Sequence, residues 1–277
     1  MLQWRSIKRN LKQINALVER NIYIEARFKT GLFLAFFRPF LQILMPLIVF
    51  GTIFTISEDY QLGYWESNTF LLFIIIAFCI QYLRQMITRY VYTFQHEKYW
   101  KTLQALMVAP LNYFNILIGF LISELVFISI PISFFLILGF ILFPISFFQA
   151  ILVIIMILVI AITFGCIGLI MGILVISREG LYKAIDIGLT FIIALSCISY
   201  PLQIFPEFLR IVIIINPLYY LFDLVRLVWL LGFDSALALN FITPTHIIIV
   251  TLGVICLPII AIYLFKTFYK KYGITGY

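Results

Sequence analysis

Few residues in this 277-residue chain are equipped for chemistry, and none falls into a catalytic pattern. The two histidines, His96 and His246, are far apart and belong to no His-Glu-x-x-His motif. There is no Gly-x-Ser-x-Gly elbow and no Gly-x-x-x-x-Gly-Lys loop, so the chain lacks that means of cradling the phosphates of ATP. Cys79, Cys166, Cys197 and Cys256 stand singly in apolar runs without a Cys-x-x-Cys pair, which indicates neither a zinc site nor a redox couple. No cofactor is expected in this chain. The polar residues that stand out do so by position. Glu124 and Asp186 lie inside long apolar runs, where an ionisable side chain is expensive and marks a path, a proton relay or an interhelical contact. For Glu124, a satisfied hydrogen bond between helices and a place on a translocation path are both open readings.

Two further segments carry polar residues at informative spacing. Residues 95–112, QHEKYWKTLQALMVAPLN, interrupt the apolar runs with mixed charge and close on Pro110. His96, Trp100 and Leu103 share a helical face, continued by Leu106 and Met107. A short amphipathic helix over 97–110 would suit docking on another protein, with Trp100, Leu103 and Leu106 or Met107 as anchors and Glu97, Lys98 and Lys101 as a polar rim. A loop helix resting on the membrane interface is the alternative. In residues 201–232, Pro201, Pro206 and Asn216-Pro217 break an apolar stretch. Glu207 precedes Arg210 by three residues, and Asp223 precedes Arg226 by three, a spacing that lets each pair meet on one helical face.

The elements that must position these residues follow from composition. Hydrophobic residues make up 64% of the chain and charged ones 11%, with 29 phenylalanines. The mean hydropathy is +1.12. A soluble domain is about half apolar and about a quarter charged, so this chain belongs in a bilayer. Soluble enzymes, nucleic-acid readers and disulfide-stapled secreted domains are thereby excluded. The net charge of +7 reads as a positive-inside bias, with no nucleic acid as partner.

Residues 1–30 are expected to form a basic amphipathic helix suited to the membrane interface, with Trp4 near its start and Lys8 and Arg9 among its basic residues; a solvated helix packed on a partner is the alternative, and the two are compatible. The polar, basic character of this stretch gives no sign of a cleavable leader. Residues 31–277 form the membrane domain. Spans are expected at 31–56, 69–94, 113–140, 149–176, 184–200 and 245–265, with a short inner loop at 177–183. Charge bias then favours two short helices within 201–232 that enter and leave from the outer face. A single crossing there would put Lys266, Lys270 and Lys271 outside. The fold class is an all-α integral membrane protein with six transmembrane helices, an N-terminal cytoplasmic interface helix and an outer re-entrant hairpin before the last span. Both termini are expected in the cytoplasm.

Residues 96–123, HEKYWKTLQALMVAPLNYFNILIGFLIS, resemble the cytoplasmic loop of ABC-2 type exporter permeases at Glu97, Thr102, Leu103, Leu106, Ala109, Pro110 and Gly119. Lys101 stands where that family often has glycine. Residues 199–226, SYPLQIFPEFLRIVIIINPLYYLFDLVR, are similar to the family's outer segment at Tyr200, Pro201, Pro206, Leu209, Arg210, Asn216, Pro217, Leu218 and Arg226. The resemblance implies a permease dimer, homo- or heteromeric, on two separate ABC ATPase subunits that carry the ATP and Mg. It implies that 97–110 is the coupling helix, that residues 1–30 are the interface helix beside it, and that the outer helices cap the exit. It also implies export of an amphipathic substrate (a drug, a lipid or a lipid-linked glycan such as O-antigen or teichoic acid) across a prokaryotic plasma membrane. A self-sufficient secondary transporter would need inverted repeats and helices broken at mid-membrane, and neither pattern is visible.

Overall fold

A computed structural model of the chain describes residues 2–27, 29–56, 65–100, 113–177 and 179–272, and every extended element among them is helical. In chain order these are α1 (Leu2–Ala26), α2 (Lys29–Ile56), α3 (Ser67–Tyr99), α4 (Tyr113–Leu142), α5 (Phe147–Ser177), α6 (Glu179–Ala194), a single 3-10 turn (Leu202–Ile204), α7 (Glu207–Ile215), α8 (Pro217–Leu231), α9 (Phe233–Ala238) and α10 (Pro244–Tyr272). Among the described residues, four helices contain a stretch long and apolar enough to cross a bilayer: Asn68–Tyr99, Phe114–Leu142, Phe147–Val175 and Pro244–Thr267. The α7–α8 pair raises the number to five if it counts as one bent crossing.

The bundle is built around α3. Within its apolar stretch 83% is buried, against 11% for α10, so α3 is the central rod and α10 shows most of its surface to the surroundings. A helix apolar on all sides belongs in such a position. Between apolar helices in lipid, association depends on close van der Waals fit, which small residues permit. A Cβ on Gly168 of α5 would stand 3.0 Å from the Ile87 Cα and 2.9 Å from the Tyr90 ring, both on α3. Gly172 faces the Phe94 ring one turn further on, and Gly165 faces Leu121 of α4. The same device seats α1: a Cβ on Gly119 of α4 would lie 2.8 Å from the buried Leu17 Cβ.

Besides the last helix, which runs on from 265 to Tyr272, the expected element boundaries shift in three places. First, α3 does not stop at Phe94 but runs to Tyr99, so His96, Glu97 and Lys98 form its last turn. Nothing between Phe94 and Tyr99 breaks a helix, and Glu97 finds a cation, Arg20 of α1, at that point. Second, the inner loop expected at 177–183 shrinks, because helix resumes at Glu179. Third, the fifth span begins and ends earlier than 184–200. Helix α6 ends at Ala194, and Cys197 in the following turn takes a left-handed φ of 57°. The Ser196 hydroxyl and the Asn216 side chain donate to the carbonyls of Ile193 and Ile192, which satisfies carbonyls the helix end leaves open.

The expected break at Asn216-Pro217 is present. The axes of α7 and α8 turn by 91° there. Proline cannot donate the next helical hydrogen bond but suits the first helical position, and Asn216 caps α8 by accepting from the Leu218 N–H at 3.0 Å.

Candidate functional site

The polar side chains gather where α1 crosses α2, α3 and α4. Arg89 of α3 lies between two carboxylates, Glu25 of α1 and Glu124 of α4, the latter at 3.2 Å. Arg20 of α1 pairs with Glu97 on the last turn of α3. Around these ion pairs Asn21 donates to the Ser123 hydroxyl at 3.3 Å, and Asn115 donates to Asn10 at 3.1 Å and to Gln13 at 2.6 Å. The amphipathic helix is therefore held on the bundle by polar contacts as well as by its apolar stripe. A charge taken out of water is tolerated when a counter-ion and hydrogen bonds replace the lost hydration. Glu124, 3% exposed, has the Arg89 guanidinium as its partner and shares it with Glu25.

Above this junction lies a cavity of about 470 Å³. Helix α1 supplies Asn21 and Glu25, α2 supplies Leu34 and Gln42, and α3 supplies a ladder from Gln81 through Gln85, Thr88 and Tyr92 to Trp100. Arg89 and Glu124 close one side. Gln81 itself is buried and reaches Ser199 at 3.5 Å.

The candidate residues from the sequence fall in different settings. Trp100 ends α3 with 52% of its surface exposed, and its ring meets His96 edge to face at 4.8 Å. Lys98 is half-buried on the same turn. Glu97 departs from the expected exposed rim: it is buried under α1, because Arg20 draws it inward. Thr102, Leu103, Leu106 and Pro110 lie outside the described residues, so the structure describes only the start of 97–110. On α1, Lys8 and Arg9 are exposed, and Trp4 sits in the first turns, with its side chain outside the described set.

At the opposite end of α3, Arg226 of α8 is 2% exposed, donates to the Ile198 carbonyl at 2.7 Å and lies 4.1 Å above the Phe73 ring. Asp223 faces His246 of α10 at 3.4 Å, while the His246 Nδ1 accepts from the Thr243 N–H at 3.1 Å. Arg210 does not take up the expected pair with Glu207. Its guanidinium donates instead to the Phe205 and Gln203 carbonyls at 2.7 and 2.6 Å, which the chain reversal at Pro206 brings within reach. Sequence reasoning missed Glu25, Arg89 and the glutamine ladder as a group. Arg84 and Arg89 read as ordinary cations near the end of a span, and only tertiary packing brings Glu25 and Glu124 to Arg89.

Helices with bilayer-crossing stretches define a multi-pass membrane protein, here with a buried ion cluster and a cavity of mixed polar and apolar lining. The model of the ABC-2 type transporter family matches residues 12–230, from α1 to the end of α8, and the chain belongs to that family. Comparison with curated proteins returns no match. The ABC-2 membrane domain is a permease and is not itself catalytic.

Proposed function

We propose that this chain is the membrane subunit of an ATP-driven exporter that moves an amphipathic drug, lipid or lipid-linked glycan out across a prokaryotic plasma membrane. The six spans are α2, α3, α4, α5, α6 and α10, with both termini in the cytoplasm. Helix α1 is the interface helix, and α7 and α8 form a re-entrant hairpin at the outer face. A second permease subunit, identical or homologous, completes the pathway, and separate ABC ATPase subunits supply the energy. The single observation that carries this reading is the cavity of mixed polar and apolar lining walled by α1, α2 and α3 and bordered by Trp100. Helix α3 runs unbroken from the Gln81 rung of that wall to the base where residues 97–110 would meet an ATPase. A rigid rod of that kind carries a displacement at its base into the cavity wall, which is how small shifts at an interface become opening and closing. Within the same class, a polysaccharide or teichoic-acid exporter is the second reading, favoured by the amide-rich wall. A secondary transporter is disfavoured because Glu124, the best candidate for a coupling-ion site, is already engaged by Arg89.

Reconstitution with the cognate ATPase tests the assignment. The complex should hydrolyse ATP in a substrate-stimulated way, and the purified chain alone should not. Trp100→Ala should lower ATPase stimulation and transport together, since truncating a buried aromatic anchor weakens an interface by about 2 kcal/mol or more. Lys98→Ala should do much less, because rim charges are screened by water. ATP turnover by the verified pure chain, or unchanged ATPase affinity in Trp100→Ala, would defeat the coupling assignment.

A further inference from the structure

We propose that the outward face of α1 is a docking surface for the phosphate-bearing headgroups of anionic inner-leaflet lipids, held there by charge and not by insertion of apolar side chains. This rests on the topology given above, in which the Tyr113 end of α4 is cytoplasmic. The opposite side of α1 is already occupied. Leu17 is buried against Gly119 of α4, and Asn21, Asn10 and Gln13 accept or donate hydrogen bonds with Ser123 and Asn115 of the same helix. What α1 turns away from the bundle is basic. Lys8, Arg9, Lys12 and, in the turn that follows, Arg27 are exposed, and Glu19 is the one exposed acid among the described side chains of that stretch. These four cations form no ion pair among the described residues, whereas Arg20 is taken by Glu97. Lys8 and Lys12 stand one helical turn apart, a like-charge spacing that costs stability and that an anion beside them relieves.

Depth brings this face to the headgroups. The contacts of Asn10 and Gln13 with Asn115, of Leu17 with Gly119 and of Asn21 with Ser123 advance together, so α1 climbs beside the first turns of α4. Helix α4 has 30 residues. At about 1.5 Å each it exceeds a hydrocarbon core of about 30 Å by about three turns. The polar side chains of Asn115, Ser123 and Glu124 put that excess at the inner end, beside α1. Helix α1 also passes into the first span within a few residues, at the exposed Lys29 that opens α2. That continuity favours a lipid surface over an acidic protein as the occupant. An anionic leaflet attracts basic residues at its surface, and the attraction fades within a Debye length of about 10 Å.

The experiment uses the full chain in lipid nanodiscs, without any ATPase. A donor dye on Ala16→Cys, an exposed position of α1, reports nearby acceptors by energy transfer. The background is Cys256→Ser, since the other three cysteines are buried. The acceptors are acyl-chain-labelled phosphatidylglycerol and phosphatidylcholine at equal mole fraction. Phosphatidylglycerol should be enriched about fivefold near the dye, the ratio expected for one cation at an anionic surface. The enrichment should vanish at about 0.5 M salt, where the Debye length shrinks to about 4 Å. It should vanish as well in Lys8→Gln/Arg9→Gln/Lys12→Gln, with the thermal midpoint unchanged because all three side chains are exposed. Equal transfer to both lipids would overturn the proposal, and so would an enrichment that persists in high salt or in the triple variant. Loss of the enrichment on adding the cognate ATPase would also overturn it and give the face to that protein. Both sides of a nanodisc carry the same lipid, so the result does not depend on which end of α4 is cytoplasmic. That topology stands or falls separately, by maleimide labelling in intact cells.

Discussion

Arg89 serves two carboxylates at once, and the consequences of removing it differ from those of removing either acid. Arg89→Met leaves Glu124, 3% exposed, without its cation and should destabilise the fold by about 3 kcal/mol or more. Glu124→Gln keeps an acceptor for Arg89 and leaves Glu25 paired with it, so its thermal midpoint in nanodiscs should fall less. The double variant Arg89→Met/Glu124→Gln should recover part of the loss, because no unpaired charge remains at the α4 position. Equal midpoints for Arg89→Met and wild type would mean that the cluster contributes nothing to holding α1, α3 and α4 together. The position of Glu124 inside an apolar run was visible in the chain, as was the choice between a path and an interhelical contact. That its partner is Arg89, shared with Glu25, was not visible, because these residues lie 35 and 64 positions from Arg89 along the chain.

At the scale of elements, the contact between α3 and α5 depends on glycine. At Gly168 a methyl group would meet the Ile87 Cα at 3.0 Å, and backbone cannot swing aside as a side-chain end can. Gly168→Ala should lower stability by about 1–3 kcal/mol through overpacking. Gly188→Ala on α6 is the control: nothing lies within 4 Å of its added methyl, and alanine is the better helix former, so stability should hold or rise slightly. Comparable losses for both would locate the effect in helix propensity instead of packing. At the outer break, Asn216→Ala removes the cap of α8 and the bond to the Ile192 carbonyl, and should cost about 1–2 kcal/mol. The Asn-Pro dipeptide announces this break in the sequence, since proline at the first helical position and asparagine at the cap act locally. The end of α6 at Ala194 was misplaced for the opposite reason: it depends on Asn216, which lies 24 residues from Ile192.

For the whole molecule, the arrangement in the bilayer is open to direct measurement. Single cysteines at Glu66 and Asp234 should react with an impermeant maleimide from outside intact cells. Cysteines at Lys98, Lys183 and Lys266 should react only after permeabilisation. All five native positions are exposed apart from Lys98, which is half-buried, so lack of labelling reports the membrane side and not packing in the core. Outside labelling at Lys266 would require that α7 and α8 cross the bilayer once as a bent span, and would replace the re-entrant hairpin.

Composition and periodicity alone determined that the chain is an all-helical membrane protein with an amphipathic first helix. They also located the long apolar helices α3, α4, α5 and α10 to within a few residues, apart from the ends of α3 and α10, which run further. Those properties are set by residues close in sequence: hydrocarbon must be faced by apolar side chains, and backbone groups in lipid must bond within their own helix. The motifs around Glu97 and around Asn216-Pro217 sufficed to suggest the family in which the chain belongs. The tertiary structure alone decided that α3 is the central rod, that Glu97 turns inward to Arg20, and that Arg210 bonds to carbonyls in place of Glu207. It alone assembled Gln42, Gln85, Thr88 and Arg89 into one cavity wall. The polar partners concerned come from different helices or from across a chain reversal. Which cation meets which carboxylate is set by how the helices pack, and no local spacing in the chain records that.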